Sequence, residues 1–150
     1  MTSYSEKISK GAKIRSTNVP EIVFVIMSFS GNPIIKSYYD EAILPTIQKY
    51  GLKCVRVDEE AFTGEISKRI IDNIKRARIV LVDLTEDRPN CYFEAGYALA
   101  LNKPVIFQRL NAPHYEAKFE FDVKDFNHIL YGTIAELREK LSKVLEAELE

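Results

Sequence analysis

Apolar positions along the 150-residue chain alternate between two patterns. Glu21-Ile-Val-Phe-Val-Ile-Met27, Ile79-Val-Leu-Val82 and Val105-Ile-Phe107 are apolar almost without a break. Such β-branched runs fit strands covered on both faces, as in a parallel sheet. Leu52-Lys-Cys-Val-Arg-Val57 is less apolar and fits an edge strand, and Asn127-His-Ile-Leu-Tyr131 reads as a fifth strand. The intervening segments have helical spacing. Ile35 to Tyr50 places Tyr39, Ala42, Ile43 and Ile47 near one face and stops at Gly51. Pro45 lies inside it and predicts a kink or a lost hydrogen bond. Glu65 to Arg76 carries the stripe Ile66, Ile70, Ile71, Ile74. Pro89 to Leu101 starts on a proline suited to a first helical position. Thr133 to Glu150 aligns Ile134, Leu137, Leu141, Val144 and Leu145, with Thr133 and Glu136 spaced as a capping box.

The order β-α-β-α-β-α-β-loop-β-α predicts an α/β fold: a flavodoxin-like, three-layer, doubly wound sheet of five parallel strands in order 2-1-3-4-5, with right-handed crossovers. Residues 19–150 form one domain in this reading, after a flexible polar arm over 1–18. In such a sheet the ligand lies beyond the C-terminal strand ends, where the order reverses between strands 1 and 3. That rule selects Ser28, Phe29, Ser30 and Gly31 after strand 1, and Asp58, Glu59 and Glu60 after strand 2. It adds Asp83, Thr85, Asp87 and Asn90 around the end of strand 3, and Gln108 and Arg109 after strand 4. The cleft so assembled is polar, hydroxyl-rich and acidic, which suits a sugar, with Phe29 or Tyr92 placed to stack on a base. The loop Ser28 to Pro33 lacks the residues of a P-loop or a G-x-G-x-x-G fingerprint.

Composition narrows the classes. A formal net charge of -1 gives no broad electrostatic case for nucleic acid or an anionic membrane. No apolar run reaches a spanning length and the N-terminus has no secretory h-region, so a cytoplasmic protein is expected. Cys54 and Cys91 read as reduced thiols, and two Cys and two His this far apart offer no zinc site. No metal or cofactor is expected.

The run Cys91 to Leu101 contains a single acid, Glu94, among Tyr92, Phe93, Ala95, Gly96, Tyr97, Ala98 and Leu99. A lone carboxylate in such company is costly to bury unless it is paired or used. The helix dipole favours its ionised form and the apolar neighbours oppose it. A poorly solvated carboxylate there is a reasonable nucleophile, or a stabiliser of an oxocarbenium-like centre. Asp83 reads equally as a turn-forming acid or a site acid.

Tyr92-Phe-Glu-Ala-Gly-Tyr-Ala98, followed by Leu99-Ala-Leu-Asn-Lys-Pro-Val105, resembles the helix-and-strand signature of nucleoside 2-deoxyribosyltransferase-like proteins. Phe24-Val-Ile-Met-Ser-Phe-Ser30 looks like that family's first strand and substrate loop. The resemblance implies that Glu94 attacks the anomeric carbon of a nucleoside or nucleotide. The switch-point placement adds Asp83 or Asp58 to bind sugar hydroxyls or protonate the leaving base, and Ser28, Phe29, Ser30, Gly31, Asp58, Asn90 and Tyr92 as expected substrate contacts. The resemblance also implies a homo-oligomer, because family sites are completed by a neighbouring subunit. Arg88-Pro-Asn90 stands where family transferases carry further acids. Bond cleavage therefore follows from the resemblance more directly than transfer between bases. Arg56-Val-Asp58, Gly64-Glu-Ile66 and Val82-Asp-Leu-Thr85 resemble a bacterial branch that shades into TIR-like domains. Two alternatives stay open: a TIR-like effector with NAD as substrate, and a non-catalytic nucleotide-sensing module.

Overall fold

The computed structural model describes residues 21–28, 31–57, 66–115 and 118–150. The arm expected over 1–18, and the candidate site residues Phe29, Ser30 and Asp58, lie outside them. The strands are β1 (Ile22–Ile26), β2 (Lys53–Val55), β3 (Ile79–Asp83), β4 (Val105–Leu110) and β5 (Asn127–Tyr131). They form one sheet in the order β2-β1-β3-β4-β5, and all four pairings are parallel. This is the expected α/β topology, with the three-residue β2 at an edge.

Alternation along the strands makes two cores. Val23, Val25, Ile79, Leu81, Ile106 and Ile129 face one layer of helices. That layer comprises α1, which runs from Pro33–Tyr38 through Tyr39–Ile43 into Leu44–Lys49, and α4 (Ile134–Glu148). Phe24, Ile26, Val80, Val82, Val105 and Phe107 face the other layer. It is formed by α2 (Ile66–Arg76) and α3 (Pro89–Ala100). β1, β3 and β4 are buried along their whole length, which is why they are apolar on both faces apart from Asp83, Gln108 and Arg109.

Local chemistry adjusts the element ends. α1 begins at Pro33, ahead of the expected Ile35, because the Asn32 side chain accepts from the amides of Ile34 and Ile35. Just before Pro45, Tyr39–Ile43 form a π turn, and the Leu44 amide bonds back to the Tyr39 carbonyl. The wider turn accommodates a proline ring that lacks an N–H and would crowd the carbonyl four residues before it. Thr133 caps α4 as expected, accepting from the Glu136 amide at 3.0 Å. The Glu136 carboxylate itself takes the Lys140 ammonium at 3.2 Å.

β4 extends three residues past the apolar run that announced it. Gln108 and Arg109 were expected in a loop facing the cleft; they are buried strand residues instead. Gln108 Nε2 and the Arg109 guanidinium donate to Asp83, Leu84 and Asp87 around the β3–α3 turn, which offsets most of the penalty for burying them, while Gln108 Oε1 is buried without a partner. Among the described residues no helix is long and apolar enough to cross a membrane.

Candidate active site

The C-terminal end of β1 opens into a cleft of about 400 Å³. Its floor is Phe24 to Ser28. Arg56 and Val57 close one side at the end of β2, Ile70 reaches in from α2, and Arg88, Asn90, Cys91 and Glu94 come from the start of α3. The cleft therefore sits at the β1/β3 switch point. Asn90, Cys91 and Glu94 share one helix face by their three- and four-residue spacing. Glu94, in the second turn, is half-buried among apolar neighbours, and this burial pushes its carboxyl up from 4.5 to about 7. The Cys91 thiol is pushed up to about 12, first by burial and then by the Glu94 charge, so it is no nucleophile at neutral pH.

A raised carboxyl in the folded state makes Glu94 a pH-dependent cost. Below the unfolded value near 4.5 the group is neutral in both states and costs nothing. Between about 4.5 and about 7 the unfolded chain ionises while the native carboxyl stays protonated, so stability falls by roughly 2–3 kcal/mol and is level above about 7. Glu94→Gln should thus match the wild type in urea denaturation at low pH and exceed it by that margin above pH 7. A stability gap that does not change with pH would refute the buried carboxylate.

The turn between β3 and α3 is held by two side-chain clusters. Asp83, buried at the end of β3, accepts from the Thr85 amide at 2.9 Å on one oxygen. Its other oxygen accepts from Gln108 Nε2 at 2.7 Å and from the Tyr131 hydroxyl at 2.5 Å. Burial and the adjacent Asp83 push the Tyr131 hydroxyl far up, so it stays a donor. In the second cluster the buried Arg109 forks onto Asp87, Nη1 to Oδ1 at 2.7 Å and Nη2 to Oδ2 at 2.5 Å, and also donates to the Leu84 carbonyl. Asp87 has φ +50°, a left-handed backbone that a non-glycine residue adopts only when held. The Arg109 guanidinium keeps its carboxyl below the usual range. Tyr92 donates its hydroxyl to Asp87 Oδ1 at 2.7 Å. The Tyr92 hydroxyl is pushed up to about 12, chiefly by burial.

Three of the expected residues lie away from the described lining of the cleft. Asp83 does not line the cleft; both its oxygens are engaged by the scaffold. Tyr92 does not line it either: its hydroxyl is bonded to Asp87 and its ring packs edge-on against Phe121. Gly31 is exposed at φ +77° and serves the turn rather than the cleft wall. Glu94, Ser28 and Asn90 do come together. Asp58, Glu59 and Glu60, three of the acids expected at the cleft, lie outside the described residues. Among its described lining residues Glu94 is the single carboxylate, beside two arginines.

Glu86 is a site residue the sequence reading passed over, although it lies in the same strand-end turn. It accepts from Ser28 Oγ at 3.1 Å and Asn32 Nδ2 at 3.2 Å, and lies 3.6 Å from the Arg88 guanidinium. It ties the β1 loop, the start of α1 and the lip of α3 together. Among the described residues no group of three or more His, Cys, Asp or Glu is arranged to hold a metal ion.

No family model and no curated protein matches this sequence. Solved structures do match. The CMP N-glycosidase BcmB of Clostridium botulinum is 17% identical with a TM-score of 0.63, over 83% of this chain and 99% of that one. The 2-desoxiribosyltransferase of Leishmania mexicana is 21% identical, TM-score 0.52, over 61% and 66%. The 2-deoxyribosyltransferase of the psychrotolerant bacterium Bacillus psychrosaccharolyticus is 14% identical, TM-score 0.53, over 78% and 90%. These structures lend no support to the TIR-like side of the resemblance. At such identities the likeness is one of fold, and the fold this chain shares is that of an N-glycosidase and of deoxyribosyltransferases.

Proposed function

We propose that this protein cleaves the N-glycosidic bond of a nucleoside or nucleotide, with Glu94 as nucleophile. The observation that carries the proposal is a half-buried carboxylate facing a cleft at the β1/β3 switch point. The fold likeness to an N-glycosidase supports it. A Glu94 oxygen forms a bond to C1′ as the bond from C1′ to the base nitrogen breaks. The electron pair leaves with the base, which takes up a proton. Water then adds at C1′, the glycosyl ester opens, and the free sugar and the carboxylate are regenerated. Poor solvation makes the carboxylate reactive and makes it a strong partner for the positive charge that develops on the sugar. Ser28 and Asn90 are the polar groups placed to hold sugar hydroxyls. Asp58, Phe29 and Ser30 are assigned to the same substrate by their place after strands 1 and 2, with Asp58 the group to test as proton donor to the base.

The test is release of free base from a panel of ribo- and deoxyribonucleosides, their 5′-monophosphates and NAD. Base release from at least one of the first two classes is expected; none from any member would refute the proposal, and binding without turnover would favour a nucleotide-sensing module. Because the ionised carboxylate attacks, kcat/KM should rise with pH and level off above about 7. A profile that falls through that range would reassign Glu94 as the proton donor.

A further inference from the structure

Three acids stand at the end of β3 and in the turn that follows, and two of them are turned to the scaffold. Asp83 accepts from Thr85, Gln108 and Tyr131, and Asp87 accepts from Arg109 and Tyr92. Glu86 reaches toward the cleft instead. Its Oε2 accepts the hydroxyl proton of Ser28 at 3.1 Å, and Ser28 lines the cleft with Glu94. Its Oε1 accepts from Asn32 Nδ2, and Asn32 is itself held as the cap of α1 and as a donor to the Tyr115 hydroxyl. A serine hydroxyl has one proton to give. With that proton directed at Glu86, what Ser28 offers a cleft ligand is an acceptor oxygen. Other polar groups of the described lining are unsuited to take a proton. Arg56 and Arg88 are cations, Asn90 is an amide, and the Cys91 thiol keeps its own proton.

Water that opens a glycosyl ester must lose a proton as it adds to C1′, and Glu94 is tied up in that ester. We propose that Ser28 takes the water proton while Glu86 takes the proton of Ser28, so that the pair activates water in the second half of the reaction. The inference rests on the N-glycosidic reading above and adds the base for its water step. As the water oxygen bonds to C1′, the bond from C1′ to the Glu94 oxygen breaks and its electron pair returns to the carboxylate. One water proton passes to Ser28 Oγ, and the original Ser28 proton passes to Glu86 Oε2. The Glu86 side chain is 15% exposed, so that proton then leaves to solvent. Ser28 is the group that touches the reacting water; Glu86 acts through it as a positioning residue. Asn32 and Tyr115 hold Glu86 against the loop after β1, which fixes the direction of the Ser28 proton.

The two half-reactions are separated by rapidly mixing Glu86→Gln with an excess of the nucleoside or nucleotide that the wild type cleaves. Base should appear in a fast first phase of about one equivalent per active site, then about 10²-fold more slowly than in the wild type. Mass spectrometry of the resting variant should find the sugar attached to the peptide that carries Glu94. Azide is a nucleophile with no proton to lose, so it should restore steady base release and yield the glycosyl azide. Ser28→Ala leaves Glu86 and its bond to Asn32 in place, and so tests the relay independently of the loop's anchoring. It should show the same two phases and the same rescue, with a higher KM because a sugar contact is also lost. A melting curve checks that each variant is folded. Base release in a single slow phase marks a lost scaffold rather than a lost base and overturns the relay. Steady turnover at the wild-type rate, or a first phase after which azide does not speed release, overturns it too. In each of these cases release by the wild type leaves the N-glycosidic reading standing. No release by the wild type from any substrate removes that reading and the relay with it.

Discussion

Glu94→Gln should lower base release by about 10³-fold or more while the fold is kept. The amide is nearly isosteric, so packing against Cys91 and the β1 floor is retained. It lacks the negative charge that opposes the growing cation at C1′, and it is a poor nucleophile. Both losses fall on the transition state rather than on substrate binding, so kcat should drop with little change in KM. The same substitution removes a charge that the native state holds at a cost, so the inactive protein should melt higher than the wild type at neutral pH. Activity and stability moving in opposite directions is what distinguishes a reacting carboxylate from a structural one. The measurement is kcat/KM by base release beside a urea denaturation curve. Retained base release would sink the catalytic assignment however the stability behaves.

Asp83→Ala should cost about 3–5 kcal/mol of stability, the scale for removing one member of a buried charged cluster. The loss would leave the Tyr131 hydroxyl, the Gln108 amide and the Thr85 N–H without their acceptor in the sheet core. Asp83→Asn should be milder, on the order of 1–2 kcal/mol. Gln108 Oε1 is buried without a partner, and a turn of that amide would offer it to the new N–H₂. Per folded molecule, Asp83→Asn should keep base release close to wild type. A loss of kcat as large as that of Glu94→Gln, in a protein that is fully folded, would instead return Asp83 to the reacting centre.

These two acids show how far the sequence could be read. The fold was legible because parallel strands covered on both faces must be apolar throughout, and the helices between them keep a different period. β4 was cut short because Gln108 and Arg109 look like loop residues until their partners, Asp83 and Asp87, are in place. Glu94 was legible because an acid among apolar helix residues contrasts with its surroundings. Asp83 was not, because an acid ending a strand looks the same whether it faces a cleft or the core. Its partners Gln108 and Tyr131 lie 25 and 48 residues further on. Arg56, Arg88 and Glu86 carried no signal, since charged residues in turns are solvated by default. Only the fold shows that Arg56 and Arg88 line one cleft and that Glu86 joins Ser28, Asn32 and Arg88 beside it. Phe93 departed in the other direction: it belongs to the apolar run yet is 73% exposed, so the run is not a wholly buried helix.

The π turn in α1 also settles a question of register. Ile35, Tyr39, Ile43 and Ile47 recur every four residues and are all fully buried. A straight α-helix turns 100° per residue, so a strict period of four drifts by about 40° at each step and would carry the stripe off the sheet. One wide turn at Tyr39–Ile43 resets that drift. The proline and the stripe thus require the same distortion for separate reasons. Restoring the missing donor with Pro45→Ala should therefore leave the wide turn in place, whereas deleting one residue from it should return a regular helix in which Ile35 and Ile47, then eleven residues apart, stay within about 20° of each other around the axis.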